Sequence, residues 1–258
     1  VTGIVQEFQF GMNWSDYSRF VGDIFGAPLA IEALVAFFLE STFIGLWIFG
    51  WDRLPKRLHL ASIWAAAIGT NLSAYFILAA NSFMQNPVGY RVNPDTGRAE
   101  LTDFVAVLTN KVALVTFPHT IAGAFLVAGS LLVAVAMWHL IRNRDSAETP
   151  TYRFAAKFGS WVTLVAAAAV VISGDIQGKI MTQVQPMKMA AAEGLYNTES
   201  PASFSVLTVG SLDGTRELFA IKIPYLLSYL GTGDPNGTVH GINDLQAQYV
   251  SQYGPGGY

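Results

Sequence analysis

One long apolar stretch of this sequence carries two acidic residues, and this combination limits what the chain can fold into. Residues 24–51 read IFGAPLAIEALVAFFLESTFIGLWIFGW, and about 20 such residues are enough to cross a bilayer as a helix. Glu32 and Glu40 lie eight residues apart, which in a regular α-helix separates them by roughly 80° around the axis and about 12 Å along it. The stretch therefore predicts a membrane-spanning helix with an acidic stripe at membrane depth.

The two carboxylates have a functional and a structural interpretation. An ionised carboxylate inside a bilayer costs several kcal/mol unless a partner compensates its charge. Such residues therefore usually face the interior of a helix bundle, where they handle protons, ions or a cofactor. The structural alternative is that Glu32 and Glu40 are satisfied partners of a buried arginine or asparagine.

The rest of the chain predicts three further spans. Its residues are 52% hydrophobic and 13% charged, which is typical of a membrane protein. The predicted spans cover residues 24–51, 60–84, 112–141 and 158–176. Residues 1–23 are interpreted as the end of a preceding helix and an interfacial turn, and residues 179–258 as a long outer segment with a short helix near 186–196. The predicted fold class is all-α, a polytopic transmembrane helix bundle with a long extracytoplasmic loop segment.

Loop charge predicts the side of the membrane on which each loop lies. Loops 52–58 and 142–157 carry an excess of lysine and arginine, whereas the charges of loop 85–111 balance. The positive-inside rule places the first two loops in the cytoplasm and segment 179–258 outside. The net charge of −3 argues against a nucleic-acid partner. The sequence has no cysteine, which excludes disulfides and thiolate-held clusters, and its two ends are those expected of a piece of a longer polypeptide.

His119 is the histidine that points most clearly to a cofactor. It follows Pro118 near the outer end of the third span, and the small residues Ala122 and Gly123 come next. A neutral imidazole with space beside it is a suitable ligand for haem iron. The alternative is a helix-end histidine that is hydrogen-bonded to a neighbour. His139 lies twenty residues further on, roughly 30 Å away in a helix, and therefore cannot bind the same haem.

The outer segment begins with polar residues that could meet one ligand. It reads SGDIQGKIMTQVQPMKMAAAEGLY, and Asp175 lies where the fourth span is predicted to end. Lys188 and Glu193 are five residues apart, about 140° around a helix, so they are not an i,i+4 pair. They are either separate polar groups for one ligand or two solvated charges on a surface helix.

Several stretches resemble subunit I of the cytochrome bd-type quinol oxidases, and together they extend over essentially the whole chain. They are GMNWSDYSRFVGDIFGAPLAIEALVAFFLESTFIGLWIFGWDR, NLSAYFILAANSFMQNP, FPHT, GDIQG and ELFAIKIPY. The resemblance implies a multi-pass protein of the bacterial plasma membrane, the haem-bearing subunit of an electrogenic respiratory terminal oxidase. Such a quinol:O2 oxidoreductase oxidises ubiquinol or menaquinol on the outer side. It reduces O2 to water with cytoplasmic protons and so contributes to the proton-motive force.

The resemblance also implies roles for individual residues in the membrane. His119 matches the axial ligand of the low-spin haem b. Glu32 matches the carboxylate beside the other two haems. Glu40 matches the acid of the proton path, with Ser41 and Ser73 nearby.

Cofactors, quinol-site residues and partners follow from the same resemblance. Asp175, Lys188 and Glu193 match polar residues of the quinol-binding loop. The implied cofactors are a low-spin haem b, a high-spin haem b and a haem d or third haem b, and the ligands of the latter two lie outside this chain. The implied partners are membrane quinol, O2, the lipid bilayer, subunit II and, as further candidates, small single-span subunits.

A second hypothesis comes from a different class of protein. It is a proton-coupled membrane transporter in which Glu32 and Glu40 form the relay and no haem is present. Inverted repeats or pairs of broken helices would favour it, and the sequence has neither.

Overall fold

The structure is a computed structural model that describes residue 5, residues 8–142 and residues 147–255. Part of the predicted segment 1–23, part of the predicted loop 142–157 and the last three residues lie outside the described residues. Within the described part, four helices are long and apolar enough to cross a membrane, the number that the sequence predicts. The chain divides into two compact units, Val1–Phe117 and Pro118–Tyr258.

The first unit is built on two long helices and one short hairpin. After a 3-10 turn, helix α1 runs without interruption from Ser15 to Phe49. The elements that follow are α2 (Lys56–Gln85), β1 (Tyr90–Val92), β2 (Ala99–Leu101), α3 (Phe104–Leu108) and α4 (Lys111–Arg142). Strands β1 and β2 pair antiparallel, with Tyr90 opposite Leu101. The Asp23 carboxylate of α1 accepts a hydrogen bond of 2.7 Å from the backbone N–H of Leu101, which anchors the hairpin to this helix.

The second unit takes in most of α4 and all later elements. These are α5 (Thr149–Val184), α6 (Pro186–Glu193), β3 (Phe204–Gly210), β4 (Glu217–Ile223), α7 (Leu226–Thr232) and α8 (Ile242–Tyr253). Strands β3 and β4 form an antiparallel hairpin with Phe204 opposite Ile223. A buried cluster lies where α6 and α7 meet the loops, formed by Met189, Leu195, Ala202, Leu227 and Val239.

The predicted bounds of three helices differ from the observed ones, because hydropathy marks the apolar part of a helix and not its ends. Helix α1 begins at Ser15 and not at residue 24, because Tyr17 and Val21 pack in the core and extend the helix. Helix α2 begins directly after Pro55, a residue that favours helix starts. Helix α5 runs from Thr149 to Val184, well beyond the predicted 158–176, so Lys179 lies on a helix and not in a loop.

The two hairpins lie in segments that the sequence predicts to be loops. Strands β1 and β2 have three residues each, and strands β3 and β4 have seven each. Three residues are too few for the alternation of apolar and polar residues that identifies a strand, and in FSVLTVG and ELFAIKI this alternation is interrupted. The short helix predicted near 186–196 corresponds to α6.

Helices α1 and α2 approach each other so closely that their backbones touch. A Cβ atom added at Gly69 of α2 would lie 3.0 Å from the backbone nitrogen of Glu40 and 3.1 Å from the carbonyl oxygen of Ala36. Ala36 is fully buried, although its neighbours Val35 and Phe37 are exposed. Small residues permit this close packing between membrane helices, while the exposed apolar side chains are suited to lipid.

Asn110 connects the end of α2 to the start of α4. Its side chain is buried, and its Oδ1 accepts a hydrogen bond of 3.0 Å from the backbone N–H of Val112. Its Nδ2 donates to the carbonyl oxygens of Asn86 at 2.8 Å and Ser82 at 3.3 Å. One amide therefore bonds to backbone groups at the ends of two helices, and one of these groups, the N–H of Val112 in the first turn of α4, has no partner within its own helix.

We predict that Asn110→Ala destabilises the protein by about 1–3 kcal/mol, because it leaves the buried backbone N–H of Val112 without a partner. The measurement is the thermal unfolding temperature of the purified protein in detergent. Asn71→Ala is the matched control, because the Asn71 amide bonds only to Ala67 of its own helix. Equal unfolding temperatures for the two variants would contradict the role of Asn110.

Candidate functional site

Glu32 lies at the start of a π-helical segment of α1 and is bound by a hydroxyl group of α2. The segment covers Glu32–Phe37, and the α-helix resumes at Phe38. The Ser73 hydroxyl donates a hydrogen bond of 2.7 Å to Oε1 of Glu32, and both side chains are half-buried. Wider π-helical turns inside α-helices often mark functional sites. Among the described residues, the side-chain partner of Glu32 is therefore a small proton-bearing group and not the arginine or asparagine of the structural alternative.

Glu40 lies in the regular helix that follows the π-helical segment. The angle of roughly 80° between Glu32 and Glu40 assumes a regular α-helix, so the π-helical turns between them make that value wrong. Ser41 is exposed, and its hydroxyl lies 3.4 Å from the carbonyl oxygen of Phe38 on the same helix. Ser73, which the resemblance places in the proton path with Glu40, is bonded to Glu32.

His119 is held by a hydroxyl group of α5. Its Nδ1 lies 3.0 Å from the hydroxyl oxygen of Ser173, and that hydroxyl donates its hydrogen to the carbonyl oxygen of Ala169 at 2.6 Å. A serine has one hydrogen to donate, so the Ser173 oxygen accepts the second hydrogen bond, and the donor is Nδ1 of His119. We therefore assign the ring proton of His119 to Nδ1. The lone pair of Nε2 is then free for a metal ion.

Small residues leave room around the His119 ring. A Cβ atom added at Gly174 would lie 3.4 Å from Cε1 of His119, whereas one added at Gly123 would meet nothing within 4 Å. His119 is therefore hydrogen-bonded to a neighbour, as the alternative interpretation has it. The bond uses Nδ1, however, so Nε2 can still bind a haem iron. This arrangement fits an axial haem ligand. In the described part of the chain, there is no group of three or more histidine, cysteine or acidic side chains that could hold a bare metal ion.

A cavity of about 540 Å³ is formed by α5, α6 and α7. Its walls are mostly apolar, and the polar side chains that line it are Asp175, Glu193 and Tyr229. Gly174 lines the same cavity and also packs against the His119 ring. A single glycine therefore contacts both the cavity and the imidazole ring.

The structure brings two of the three predicted quinol-site residues together. Asp175 and Glu193 both line the cavity, whereas Lys188 is exposed and is not among the residues that line it. Burial raises the pKa of the Glu193 carboxyl, and a hydrogen bond from the backbone of Ser205 offsets part of this shift. Glu193 therefore remains protonated at a higher pH than an ordinary carboxyl group.

Two residues near the cavity were missed from the sequence. Tyr229 lies in the later stretch IPYLLSYL, and nothing in that stretch indicates that its ring reaches a site on α5. Lys179 forms an ion pair with Asp175, with 2.7 Å between Nζ and Oδ2. Its spacing of four residues from Asp175 is the signal that could have identified this pair.

Comparisons with known proteins identify the family of this chain. The family model described as cytochrome bd terminal oxidase subunit I matches residues 1–255. The chain is 49% identical to cytochrome bd ubiquinol oxidase subunit 1 of Bacillus subtilis, over 100% of this chain and 54% of that protein. It is 44% identical to cytochrome bd-II ubiquinol oxidase subunit 1 of Escherichia coli, over 96% of this chain and 48% of that protein. The chain thus spans about half the length of the curated relatives it matches.

A solved structure is similar as well. The bd oxidase from Geobacillus thermodenitrificans matches with a TM-score of 0.79 and 29% sequence identity, over 94% of this chain and 56% of that chain. Together with the four apolar helices, this match confirms the predicted class of polytopic helical membrane protein. None of these matches supports the proton-coupled transporter, and a cytochrome family implies haem cofactors. The chain belongs to the cytochrome bd terminal oxidase subunit I family.

Proposed function

We propose that this chain is part of the haem-bearing subunit of a respiratory terminal oxidase that oxidises membrane quinol and reduces O2 to water. The observation that carries the proposal is that Gly174, which packs against His119, also lines an apolar cavity with two carboxyl groups in its wall. A quinol needs an apolar space for its ring, acceptors for its protons and an electron acceptor nearby. The relatives named as ubiquinol oxidases support quinol as the substrate class.

His119 is proposed as the axial ligand of the low-spin haem b, through Nε2. Ser173 fixes the orientation and the tautomer of the ring, as residues behind a metal ligand commonly do. Bound there, the haem would supply one-electron transfer. The high-spin haem b and the haem d or third haem b are proposed to take their iron ligands from outside this chain.

Asp175 and Glu193 are proposed to accept the protons that quinol releases on oxidation. A carboxylate is a more effective proton acceptor when its pKa is raised towards the working pH, which favours Glu193 for this step. Asp175 follows Gly174 in sequence and lines the same cavity. Lys188 is proposed as a quinol-site residue on the resemblance alone.

Glu40 and Glu32 are proposed to conduct protons towards the O2-reducing haems. Protons from the cytoplasm would reach Glu40 first and Glu32 afterwards, and the Ser73 hydroxyl bonded to Glu32 could pass a proton along this route. Ser41 is proposed as a further member of the path.

We propose that loops 52–58 and 142–157 lie in the cytoplasm and that segment 179–258 lies on the outer face of the bacterial plasma membrane. Subunit II, with small single-span subunits as further candidates, would complete the complex.

We predict that His119→Ala abolishes the low-spin haem b of the intact oxidase, because the variant lacks the imidazole that binds iron. Ser173→Ala should retain this haem but raise its midpoint potential by roughly 20–60 mV. Loss of the hydrogen bond makes the imidazole a weaker electron donor, and one bond is worth about 0.5–1.5 kcal/mol.

Reduced-minus-oxidised absorption spectra and a redox titration measure these two effects. His240→Ala, which removes an exposed histidine of the same unit, is the control and should change neither. Persistence of the low-spin haem bands in the His119→Ala variant would refute the assignment of the ligand.

We predict that Glu193→Gln lowers the turnover of quinol oxidation at least about tenfold with normal haem content, because an amide cannot accept a proton. In the wild type, turnover should fall as the pH drops through the pKa of Glu193, since the protonated acid accepts nothing. An ordinary glutamate has a pKa of about 4.3. Because the pKa of Glu193 is raised, the fall in turnover should occur at a higher pH than such a glutamate would give.

The measurement is the pH profile of quinol:O2 activity of the intact oxidase. Asp234→Asn is the matched control, because Asp234 is an exposed acid of the same segment that is not among the cavity-lining residues. If Glu193→Gln keeps both the wild-type turnover and the acidic limb of the profile, Glu193 is not the proton acceptor.

A further inference from the structure

Lys179 contacts two of the three polar residues that line the cavity. It lies one helical turn after Asp175 on α5, and its Nζ is 2.7 Å from Oδ2 of that carboxylate. The same ammonium group lies 5.8 Å from the centre of the Tyr229 ring on α7, within the range of a cation–π interaction. One cation therefore joins an acidic group of one helix to an aromatic ring of another.

The Lys179 side chain also packs against the end of α7. Gly233 follows α7 and has a φ of +83°, a conformation that favours glycine. A Cβ atom added there would lie 3.5 Å from Cε of Lys179. Because it is held by Asp175, Tyr229 and this glycine, Lys179 has less freedom than an ordinary surface lysine. It is not itself among the residues that line the cavity.

We propose that Lys179 is a positioning residue of the quinol site, which fixes the Asp175 carboxylate and the Tyr229 ring at the cavity wall. This inference rests on the proposed function. With Oδ2 bound to the ammonium group, Oδ1 is the oxygen left to accept a hydrogen bond from a hydroxyl of a hydroquinone ring. The Tyr229 ring, held by the same cation, provides an aromatic surface for that ring.

A purely structural ion pair would behave differently from a positioning residue. The side chains of Lys179 and Asp175 are 31% and 36% exposed, and exposed i,i+4 pairs contribute little to stability. Removal of the lysine should therefore leave haem content and thermal stability almost unchanged. Without the lysine, however, the Asp175 carboxylate and the Tyr229 ring lack a fixed orientation, and quinol should bind more weakly.

The first experiment compares single variants of the intact oxidase with a soluble short-chain quinol as substrate. Lys179→Gln should raise the apparent KM about fivefold to tenfold, as expected for a weakened charge-assisted hydrogen bond, with kcat within about twofold of wild type. Lys179→Arg should recover most of this loss. Arg216→Gln is the control, because it removes an exposed cation of the same unit that is not among the residues lining the cavity.

The second experiment tests whether Lys179 acts through Asp175. In an Asp175→Asn background, Lys179→Gln should raise KM by no more than about twofold, because the carboxylate that it positions is absent. An unchanged KM in the single variant, or an equal increase in both backgrounds, would overturn the proposal. Lys179→Met, which keeps the apolar stem, replaces the glutamine variant if haem spectra show that the latter does not assemble.

The outcomes also separate this inference from the proposed function. If Asp175→Asn and Glu193→Gln impair quinol oxidation but Lys179→Gln does not, only the role of Lys179 is wrong. If all three variants retain wild-type quinol kinetics, the cavity is not the quinol site and the proposed function of this region fails.

Discussion

A polar side chain at membrane depth has no water to bind, so its partner has to come from the protein itself. In the first unit, this requirement is met for Glu32 by the hydroxyl of Ser73. In the second unit, it is met for His119 by the hydroxyl of Ser173. In both cases the partner is a serine on another helix, so satisfying the polar group also fixes how two helices pack. Serine leaves the chemistry of its partner available, because it neither neutralises a carboxylate nor occupies both nitrogens of an imidazole.

The proposed reaction depends on how the second unit separates electrons from protons. Gly174 packs against His119 and also lines the cavity, so a quinol bound there would lie near the proposed haem ligand that is to receive its electrons. The protons would instead go to carboxyl groups in the cavity wall, Asp175 and Glu193. Burial of Glu193, which makes its charged form costly, is the same property that makes it able to take up a proton.

Sequence patterns predict the parts of this structure that depend on composition and local motifs. The four membrane helices follow from hydropathy, and family motifs draw attention to His119 and Glu32. Contacts between residues far apart in the chain could not be predicted in this way. The hydrogen bond from Ser73 to Glu32 joins two helices, and Tyr229 reaches the cavity from a segment that no motif marks as part of the site. The π-helical segment after Glu32 also escapes detection, because a periodicity of 3.6 residues assumes a regular helix.

Photoaffinity labelling of the intact oxidase with an azido-substituted quinone tests the central claim, that quinol binds in the cavity beside His119, most directly. After illumination, the label should be recovered by mass spectrometry on peptides that contain residues 171–181, 189–193 or 227–230, which line the cavity from α5, α6 and α7. An excess of unmodified quinone should abolish this labelling. Labelling that quinone competes away but that maps to other segments would contradict the claim.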